Sequence, residues 1–401
     1  MSEAKQRVLS GMRPTGALHL GHYHGALKNW VRLQSEMDCF YFVADWHALT
    51  THYDNREIIE QNVYEMVIDW LAAGLDPNQC TIFLQSRMPE HAELFTLLAM
   101  GTPLSWLERV PTYKDQQIQL KDKDLSTYGF LGYPLLQAAD ILMYRAHFVP
   151  VGEDQSSHVE LTRETARRFN DLYGRRGDDA QRIAALLATW PKEDARYLNS
   201  MAKKRQELGD ESMLQKLPGF LAKFPDLSAD QHALLTSFVS GKGKAVLIEP
   251  QVLLTNASKL PGLDGRKMSK SYGNSIAMRE SAASTEKKIR EMPTDPARVK
   301  RTDKGDPAKC PVWQFHLVYS DDTRKQWVTQ GCTTAGIGCI ECKKTVSDAI
   351  LAEQQPILAR AQQYVDNPKV VREIVDAGCA SAKRFAQETM YHVRTAIGLN
   401  Y

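Results

Sequence analysis

Two lysines three residues apart, Lys267 and Lys270, lie in a loop rich in glycine, serine and aspartate. The full pentapeptide is Lys-Met-Ser-Lys-Ser, so Met268, Ser269 and Ser271 belong to it as well. Two ammonium groups can converge on a polyphosphate, and the flanking glycines allow the loop to bend and close. Ammonium groups held in place stabilise the charge that develops on a pyrophosphate leaving group. The loop therefore predicts electrostatic catalysis of ATP cleavage, with a solvated basic loop as the alternative.

A second candidate phosphate site lies near the N-terminus, in the segment His19-Leu-Gly-His22. Two imidazoles that flank a turn can hydrogen-bond phosphate oxygens, and Gly21 leaves room for a purine against the backbone. The amino end of the helix that follows favours anions. A pair of turn histidines with purely structural hydrogen bonds is the alternative. We favour the ligand site because the motif follows the first predicted strand.

The elements that must position these motifs alternate between strand and helix. Apolar segments bounded by turn residues predict strands at residues 8–10, 39–43, 81–84, 148–151, 246–250 and 252–254. Periodic segments predict helices at residues 23–36, 56–73 and 156–173. This order predicts an α/β fold with a Rossmann-like, doubly wound parallel sheet, in which ligands bind at the carboxyl ends of the strands.

The chain changes character after about residue 275, where it becomes helical and polar. We therefore predict a catalytic domain at residues 1–275 and an all-helical domain at residues 276–401. A stretch at about residues 174–244, with short helical pieces and proline breaks, interrupts the first domain as an insert of unassigned function.

Composition is typical of a water-soluble globular protein. The chain has 401 residues, 24% of them charged, and a formal net charge of only +2, so charge alone does not require a nucleic-acid partner. Residues 279–304 carry eight Lys and Arg against five Asp and Glu, which suits either a phosphate contact or a solvated face. The sequence contains no apolar run long enough to span a membrane, and its first residues lack the apolar core of a signal peptide. We expect a cytoplasmic protein.

Four of the seven cysteines cluster late in the chain, at Cys310, Cys332, Cys339 and Cys342. An odd number of cysteines without an export signal argues against a disulfide framework. Four thiolates suit either tetrahedral zinc or an iron–sulfur cluster, and their spacing does not separate these two. Free buried thiols are the third possibility.

A polar stripe crosses an otherwise apolar predicted helix at residues 133–142. Tyr133, Gln137 and Asp140 are spaced so that all three face one way. A carboxylate on such a helix is costly unless it is paired. Asp140 is therefore either a ligand acceptor or an ion-paired or capping residue.

The chain resembles the tryptophanyl-tRNA synthetases, a family of class I aminoacyl-tRNA synthetases. The resemblance rests on both phosphate motifs and on the segments at residues 11–16, 45–50, 133–142 and 149–155. It implies activation of L-tryptophan with ATP to tryptophanyl-adenylate and pyrophosphate, followed by transfer of tryptophan to tRNA(Trp). It also implies Mg²⁺ with the ATP, a homodimer, and anticodon binding by the second domain.

The resemblance assigns roles to individual residues. His19, His22, Lys267 and Lys270 would be catalytic. ATP would also contact Arg13, Thr15, Gly21, Gly152, Asp154, Met268, Ser269 and Ser271. Tryptophan would contact Leu9, His47, Tyr133, Gln137, Asp140, Val149, Val151 and Gln155. In these synthetases the acid that matches Asp140 accepts the indole N–H, and the residues that match Tyr133 and Gln155 hold the α-amino group. One of Lys114, Lys121 and Lys123, in a predicted mobile loop, would contact pyrophosphate.

The cysteines match a subset of the family that carries a 4Fe–4S cluster in the anticodon-binding domain, with a first spacing one residue shorter here. Aromatic side chains near them could stack on unpaired bases, although core packing is their commoner use: Trp313, Phe315, His316 and Trp327. Arg13 and Gln137 depart from the common short bacterial form, which often has Gln and Met there. The rival interpretations are a tyrosyl-tRNA synthetase, a synthetase-like binding protein without turnover, and a small-metabolite nucleotidyltransferase.

Overall fold

The computed structural model describes residues 5–53, 56–111, 127–152, 155–174, 178–208, 210–241, 245–254 and 260–401. The chain divides into two units. The first unit comprises Met1–Arg87, Pro150–Glu153 and Leu253–Ala382, and the second comprises Met88–Val149, Asp154–Val252 and Lys383–Tyr401. The boundary predicted at residue 275 separates a catalytic domain from a helical domain by function, whereas these two units are defined by contacts. The predicted boundary therefore stays a prediction.

Five strands form one sheet in the order β3-β2-β1-β4-β5. They are β1 Arg7–Met12, β2 Asp38–Val43, β3 Cys80–Leu84, β4 Phe148–Val151 and β5 Gln251–Leu254. β1 pairs with β2 and β2 with β3, both in parallel, with Leu9 opposite Phe40 and Phe40 opposite Thr81. The strands of a parallel sheet are covered on both faces, which explains their continuous apolar sequences. The predicted α/β class and Rossmann-like sheet are confirmed.

Helices make up most of the remaining structure. In the first part of the chain they are α1 Leu20–His22, α2 Lys28–Glu36, α3 Asp45–His52, α4 Arg56–Ala73, α5 Pro89–Gly101, α6 Leu104–Glu108, α7 Tyr128–Met143 and α8 Ser156–Tyr173. Those that follow are α9 Asp179–Ala188, α10 Lys192–Leu208, α11 Ser212–Leu221, α12 Ala229–Ser240, α13 Ala282–Glu291, α14 Pro311–Tyr319, α15 Asp322–Thr333, α16 Cys339–Val365 and α17 Pro368–Ile397. Among the described residues, no helix combines the length and the apolar character needed to cross a membrane.

The strand predicted at residues 246–250 is wrong. The backbone N–H groups of Val246 and Leu247 donate to Oδ1 of Asn170, at 2.8 and 3.0 Å. The Asn170 amide donates in return to the Leu247 carbonyl at 2.8 Å. One side chain of α8 thus takes the hydrogen bonds that a strand would use. The predicted strand at residues 252–254 is confirmed within β5.

The insert has a small apolar core of its own, formed by α10, α11 and α12. Leu198, Leu217 and Leu235 are buried in it. Its helices begin and end on local signals: Ser228 caps α12 by accepting from Gln231 N–H, and Gly241 ends it with φ 71°. The insert is therefore a packed helical subregion, in agreement with the short helical pieces that its sequence indicates.

The core of the first unit joins the segments that carry the predicted phosphate motifs. One buried cluster contains Leu20 from α1, Met268 from the lysine loop, Phe315 from α14 and Ile350 from α16. Apolar burial holds such elements together at about 25 cal/mol per Å². The two motifs are therefore fixed by a shared core although the sequence separates them widely.

Candidate active site

The segment His19–His22 forms a tight turn that follows β1. The His19 backbone is extended, and its N–H lies 3.3 Å from Nδ1 of His22. The two imidazole rings stack with their centroids 3.7 Å apart. His19 is buried, and its Nδ1 has no hydrogen-bond partner among the residues that the structure describes. A buried polar atom without a partner is costly, so this nitrogen is a candidate ligand contact.

Burial lowers the pKa of both histidines. The pKa of His19 falls to about 4, because burial disfavours the charged ring and Lys270 repels it. The pKa of His22 falls to about 3, first through burial and then through its neighbours His19 and Lys270. Both rings are therefore neutral near pH 7, and a neutral imidazole can donate one hydrogen bond to a phosphate oxygen.

The lysine loop packs directly against this turn. Gly21 N–H donates to Sδ of Met268 at 3.3 Å, and Leu20 N–H donates to the Ile276 carbonyl at 3.0 Å. An isolated antiparallel bridge also pairs His19 with Ala277. The structure thus brings together the two segments in which the sequence predicts phosphate binding.

Lys270 reaches the turn that follows β1. A Cβ added to Gly16 would lie 2.2 Å from Nζ of Lys270, and Gly16 has φ 129°, so glycine suits this position on both counts. Partial burial lowers the pKa of Lys270, and the Asp69 carboxylate opposes that shift. Arg13 and Thr15 lie exposed in the same turn, where Thr15 N–H donates to the Arg13 carbonyl at 2.8 Å.

Asn274 organises the lysine loop, a role that the sequence analysis missed. Its Oδ1 accepts from Ser269 N–H at 2.8 Å, and its Nδ2 donates to Asp264 at 2.7 Å and to the Lys267 carbonyl at 3.1 Å. The side chain is buried, and a Cβ on Gly262 would lie 2.2 Å from its Nδ2. An asparagine that ends a glycine-rich loop is a signal for such side-chain to backbone bonding.

Asp69 is a second residue that the sequence analysis missed. It is 1% exposed, accepts from Leu18 N–H at 2.9 Å, and accepts from Nε of Arg279 at 2.6 Å. Burial raises its pKa, although the Arg279 charge and these hydrogen bonds oppose the shift. Asp69 therefore ties the residue before His19 to the segment after the lysine loop. Its place in an ordinary helical pattern gave no signal of this.

The residues predicted to contact tryptophan are divided between the two units. The first unit contains Leu9, His47 and Val151, and also Gly152 of the predicted ATP site. The second contains Tyr133, Gln137, Asp140, Val149 and Gln155. Leu9 is buried in β1, and His47 is buried in α3, where its N–H donates to Oε1 of Gln85 at 3.4 Å.

Asp140 is fully buried and paired within the second unit. Its Oδ1 lies 2.6 Å from Nδ1 of His91, whose Nε2 lies 2.7 Å from the Tyr144 hydroxyl. The contact with His91 offsets the free energy that it costs to bury the Asp140 carboxylate on an apolar helix. Tyr133 and Gln137 are half-buried on the same helix, and the Tyr133 ring lies 5.6 Å from that of His158.

Some predicted contacts lie outside the described residues. These are Asp154 and the three lysines Lys114, Lys121 and Lys123. The side chain of Ser271 is likewise outside them, while its backbone forms a short 3₁₀ helix, Lys270–Tyr272.

The four late cysteines line one small cavity of about 30 Å³ together with Arg298 and Lys343. Nη1 of Arg298 lies 3.7 Å from Sγ of Cys332, and Nε2 of His316 lies 3.2 Å from Sγ of Cys342. Burial, followed by the neighbouring cysteines, raises the pKa of Cys342 to about 12. Within the described part of the chain, no three His, Cys, Asp or Glu side chains are disposed to hold a metal ion as they stand.

Comparison with known proteins identifies the family. A model described as tRNA synthetases class I (W and Y) matches residues 1–188 and 230–353, well over half of the chain. The chain belongs to this family of class I tRNA synthetases. The predicted resemblance to class I synthetases is therefore confirmed, and the relatives that follow confirm the tryptophanyl-tRNA synthetase family within that class.

Individual relatives agree with this family along their whole length. A tryptophan–tRNA ligase of Ralstonia nicotianae is 64% identical over 397 residues, 99% of each chain. A tryptophan–tRNA ligase of Thermotoga maritima is 43% identical over 397 residues, 98% of this chain and all of its own. A solved tryptophanyl-tRNA synthetase from Campylobacter jejuni, in complex with ADP and tryptophan, matches with a TM-score of 0.73 at 26% identity. That match covers 98% of this chain and 100% of the Campylobacter chain.

Proposed function

We propose that this chain is a tryptophan–tRNA ligase that works by the two-step chemistry of its family. The main support is the similarity to the Ralstonia tryptophan–tRNA ligase, which is 64% identical over 99% of both chains. In the first step the tryptophan carboxylate attacks the α-phosphate of ATP, and pyrophosphate leaves. In the second step a hydroxyl at the 3′ end of tRNA(Trp) takes the tryptophanyl group, and AMP leaves. Tyrosine is the alternative substrate, because the matching family model covers both amino acids.

The side chains of the lysine loop act on the leaving group. Lys267 and Lys270 carry the positive charges that stabilise the pyrophosphate as negative charge moves onto it. Mg²⁺ bound to the ATP would supply further positive charge to the phosphate oxygens. The hydrogen bond from Gly21 N–H to Sδ of Met268 holds the loop beside the histidine turn.

His19 and His22 act as neutral hydrogen-bonding groups. Support comes from their low pKa values, about 4 and about 3, and from the buried Nδ1 of His19. A neutral donor orients a phosphate oxygen without adding a charge that would hold pyrophosphate after the reaction. The remaining ATP contacts in this proposal are Arg13, Thr15, Gly21, Gly152, Asp154, Met268, Ser269 and Ser271.

The tryptophan contacts follow the family resemblance. Asp140 is the proposed acceptor of the indole N–H, and its bond to His91 fixes the orientation of the carboxylate. An acceptor built for an N–H discriminates strongly against a side chain that lacks one. The other proposed contacts are Leu9, His47, Tyr133, Gln137, Val149, Val151 and Gln155.

Charging of tRNA with two amino acids tests the substrate. Purified protein, ATP and tRNA are incubated with tryptophan or with tyrosine at equal concentration, and aminoacylated tRNA is measured. We expect charging with tryptophan only. Charging with tyrosine would replace the substrate assignment, and tight tryptophan or tRNA binding without charging would favour a binding protein without turnover.

The four cysteines are proposed to hold a 4Fe–4S cluster, with zinc as the alternative. Support for the proposal comes from the four cysteines, which line one cavity. The Arg298 side chain beside them is 8% exposed, and its Nε has no partner among the described residues. A buried cation of this kind suits an anionic cluster. Bound there, the cluster would supply a structural cross-link between the loop after α13 and helices α15 and α16.

Metal analysis distinguishes the three possibilities at the cysteines. Protein purified without air is assayed for iron, acid-labile sulfide, zinc and visible absorbance. Iron and sulfide in equal amounts with broad visible absorbance are expected. Stoichiometric zinc without iron would establish the alternative, and neither metal would leave four free thiols.

Three further assignments complete the proposal. Residues 1–275 would form the catalytic domain and residues 276–401 the tRNA anticodon-binding domain. The protein would act as a homodimer in the cytoplasm. Sedimentation or light scattering of the purified protein would test the dimer directly.

A further inference from the structure

A π-helical turn, Tyr23–Leu27, stands between the histidine turn and helix α2. Its backbone bond from Lys28 N–H to the Tyr23 carbonyl spans five residues. Such turns are rare, and they frequently occur at functional sites. Because a π turn adds a residue to the helical repeat, it rotates everything before it relative to the helix that follows. The turn Tyr23–Leu27 therefore sets the direction in which the histidine side chains face.

The helix that follows is itself firmly seated. The Trp30 ring of α2 stacks on Tyr41 of β2 with centroids 4.4 Å apart, and the Tyr41 hydroxyl donates to the Trp30 carbonyl at 3.0 Å. Both side chains are almost completely buried. The position of α2 is thus fixed against the sheet, so the adjustable element between the sheet and the histidines is the π turn.

A buried polar group holds this turn from outside. His24, the second residue of the turn, is 7% exposed. Its Nε2 lies 2.8 Å from Oε2 of Glu353 and 2.9 Å from the Tyr319 hydroxyl. That hydroxyl donates to the same Glu353 oxygen at 2.8 Å, and Lys28 donates to the other oxygen at 2.9 Å. Three side chains, those of His24, Tyr319 and Lys28, therefore converge on the Glu353 carboxylate.

Glu353 is a charged anchor. Burial opposes its ionisation, but the hydrogen bonds and charges of His24 and Lys28 outweigh that cost and lower its pKa to about 2. Burial, together with the Glu353 charge, raises the pKa of the Tyr319 hydroxyl, which therefore remains a donor. A charge-assisted contact of this kind is stronger than a neutral one and has a defined geometry.

The anchors come from helices that are already fixed to the site. Tyr319 ends α14 and Glu353 lies in α16, and both helices contribute to the buried cluster that contains Leu20. Neither anchor is in the segment that it holds, since each lies about three hundred residues further along the chain. Local sequence preference alone would not keep a π turn at residues 23–27, whereas a fixed carboxylate can.

We propose that His24, Tyr319 and Glu353 are positioning residues that lock the π turn and thereby aim His19 and His22 at the phosphates of ATP. They act through the turn and not on the reacting atoms. The inference rests on the proposed phosphate-binding role of His19 and His22. Without the lock, the turn can relax to α-helix, and the two imidazoles rotate away from their working direction.

Two substitutions test the lock by steady-state ATP–pyrophosphate exchange with tryptophan. Glu353→Gln removes the charge at constant size, and Tyr319→Phe removes one hydrogen bond from the same oxygen. Misplaced catalytic groups cost between about tenfold and a hundredfold in rate, so we expect kcat to fall in that range for Glu353→Gln, with KM for tryptophan unchanged. Glu36→Gln is the matched control, since Glu36 forms an exposed ion pair with Arg32 on α2.

A double-mutant cycle separates positioning from a merely structural effect. In a His22→Asn background one of the two histidines to be aimed is gone, so Glu353→Gln should lower kcat by a smaller factor than it does in the wild type. If the two substitutions lowered kcat independently, so that their factors multiplied in the double mutant, the inference would be overturned. Exchange at the wild-type rate in Glu353→Gln would also overturn it. Should Glu353→Gln fail to fold, Tyr319→Phe carries the same cycle. Unchanged exchange in His22→Asn alone would instead refute the proposed role of His22.

Discussion

Replacing Asn274 by alanine removes three hydrogen bonds from the lysine loop at once. Each such bond contributes about 1 kcal/mol net, so the fixed loop geometry loses about 3 kcal/mol at most. Water can replace some of the hydrogen bonds that the Ser269 N–H and the Lys267 carbonyl lose. We therefore expect Asn274→Ala to weaken stabilisation of the transition state by about 1–3 kcal/mol. That loss corresponds to between about fivefold and 150-fold in kcat.

The assay is ATP–pyrophosphate exchange at saturating tryptophan, with ATP varied. Asn274→Ala should lower kcat and raise KM for ATP, because the loop contains both lysines that are proposed to bind the ATP phosphates. Asn199→Ala is the matched control, since Asn199 is exposed on α10 and makes one local bond to the Ala195 carbonyl. If Asn274→Ala exchanged at the wild-type rate with normal KM for ATP, the loop would not depend on this side chain.

Three other substitutions or conditions give defined outcomes. Asp140→Ala should weaken tryptophan binding by calorimetry and relax discrimination against phenylalanine, while binding equal to wild type would remove its proposed role. Gly378→Ala should lower the free energy of unfolding by about 2 kcal/mol or more, because the new Cβ would lie 1.8 Å from the Ile82 carbonyl oxygen. Denaturant-induced unfolding measures this change, and Gly219→Ala is the control because a Cβ at Gly219 would enter open space. The free energy of unfolding should fall as pH drops from 6.5 towards 4. In this range His19 and His22 bind protons in the unfolded chain but not in the folded protein, where their pKa values are about 4 and about 3. His22→Asn should make the free energy of unfolding depend less steeply on pH.

The parts of the site that sequence could predict are those whose signal is local. All the residues of the histidine segment, and all those of the lysine pentapeptide, lie within five consecutive positions, so each motif can be recognised from the sequence. The structure places the two motifs side by side, as predicted. The sheet was predictable because its strands are continuous apolar segments between turn residues. Asn274 was within reach too, since an asparagine after a glycine-rich loop favours side-chain to backbone bonds.

Other features depend on partners that are remote in the chain. The segment at residues 246–250 has a strand-like sequence, yet Asn170 of α8 takes its backbone hydrogen bonds. The π turn at Tyr23–Leu27 reads as ordinary helix, and its anchor Glu353 lies far along the chain. Asp140 shows the same limit, because the sequence offered a ligand acceptor or an ion-paired acid and could not identify His91 as its neighbour.

In the proposed function, the lysine loop and the histidine turn form one site that activates tryptophan with ATP. The most direct test compares wild type and Lys270→Ala in tryptophan-dependent ATP–pyrophosphate exchange, with tryptophan affinity measured in parallel. We expect wild-type exchange that requires tryptophan, and in Lys270→Ala a loss of exchange of about a hundredfold or more with nearly unchanged tryptophan affinity. Normal exchange in Lys270→Ala, or wild-type exchange that does not depend on tryptophan, would contradict the account.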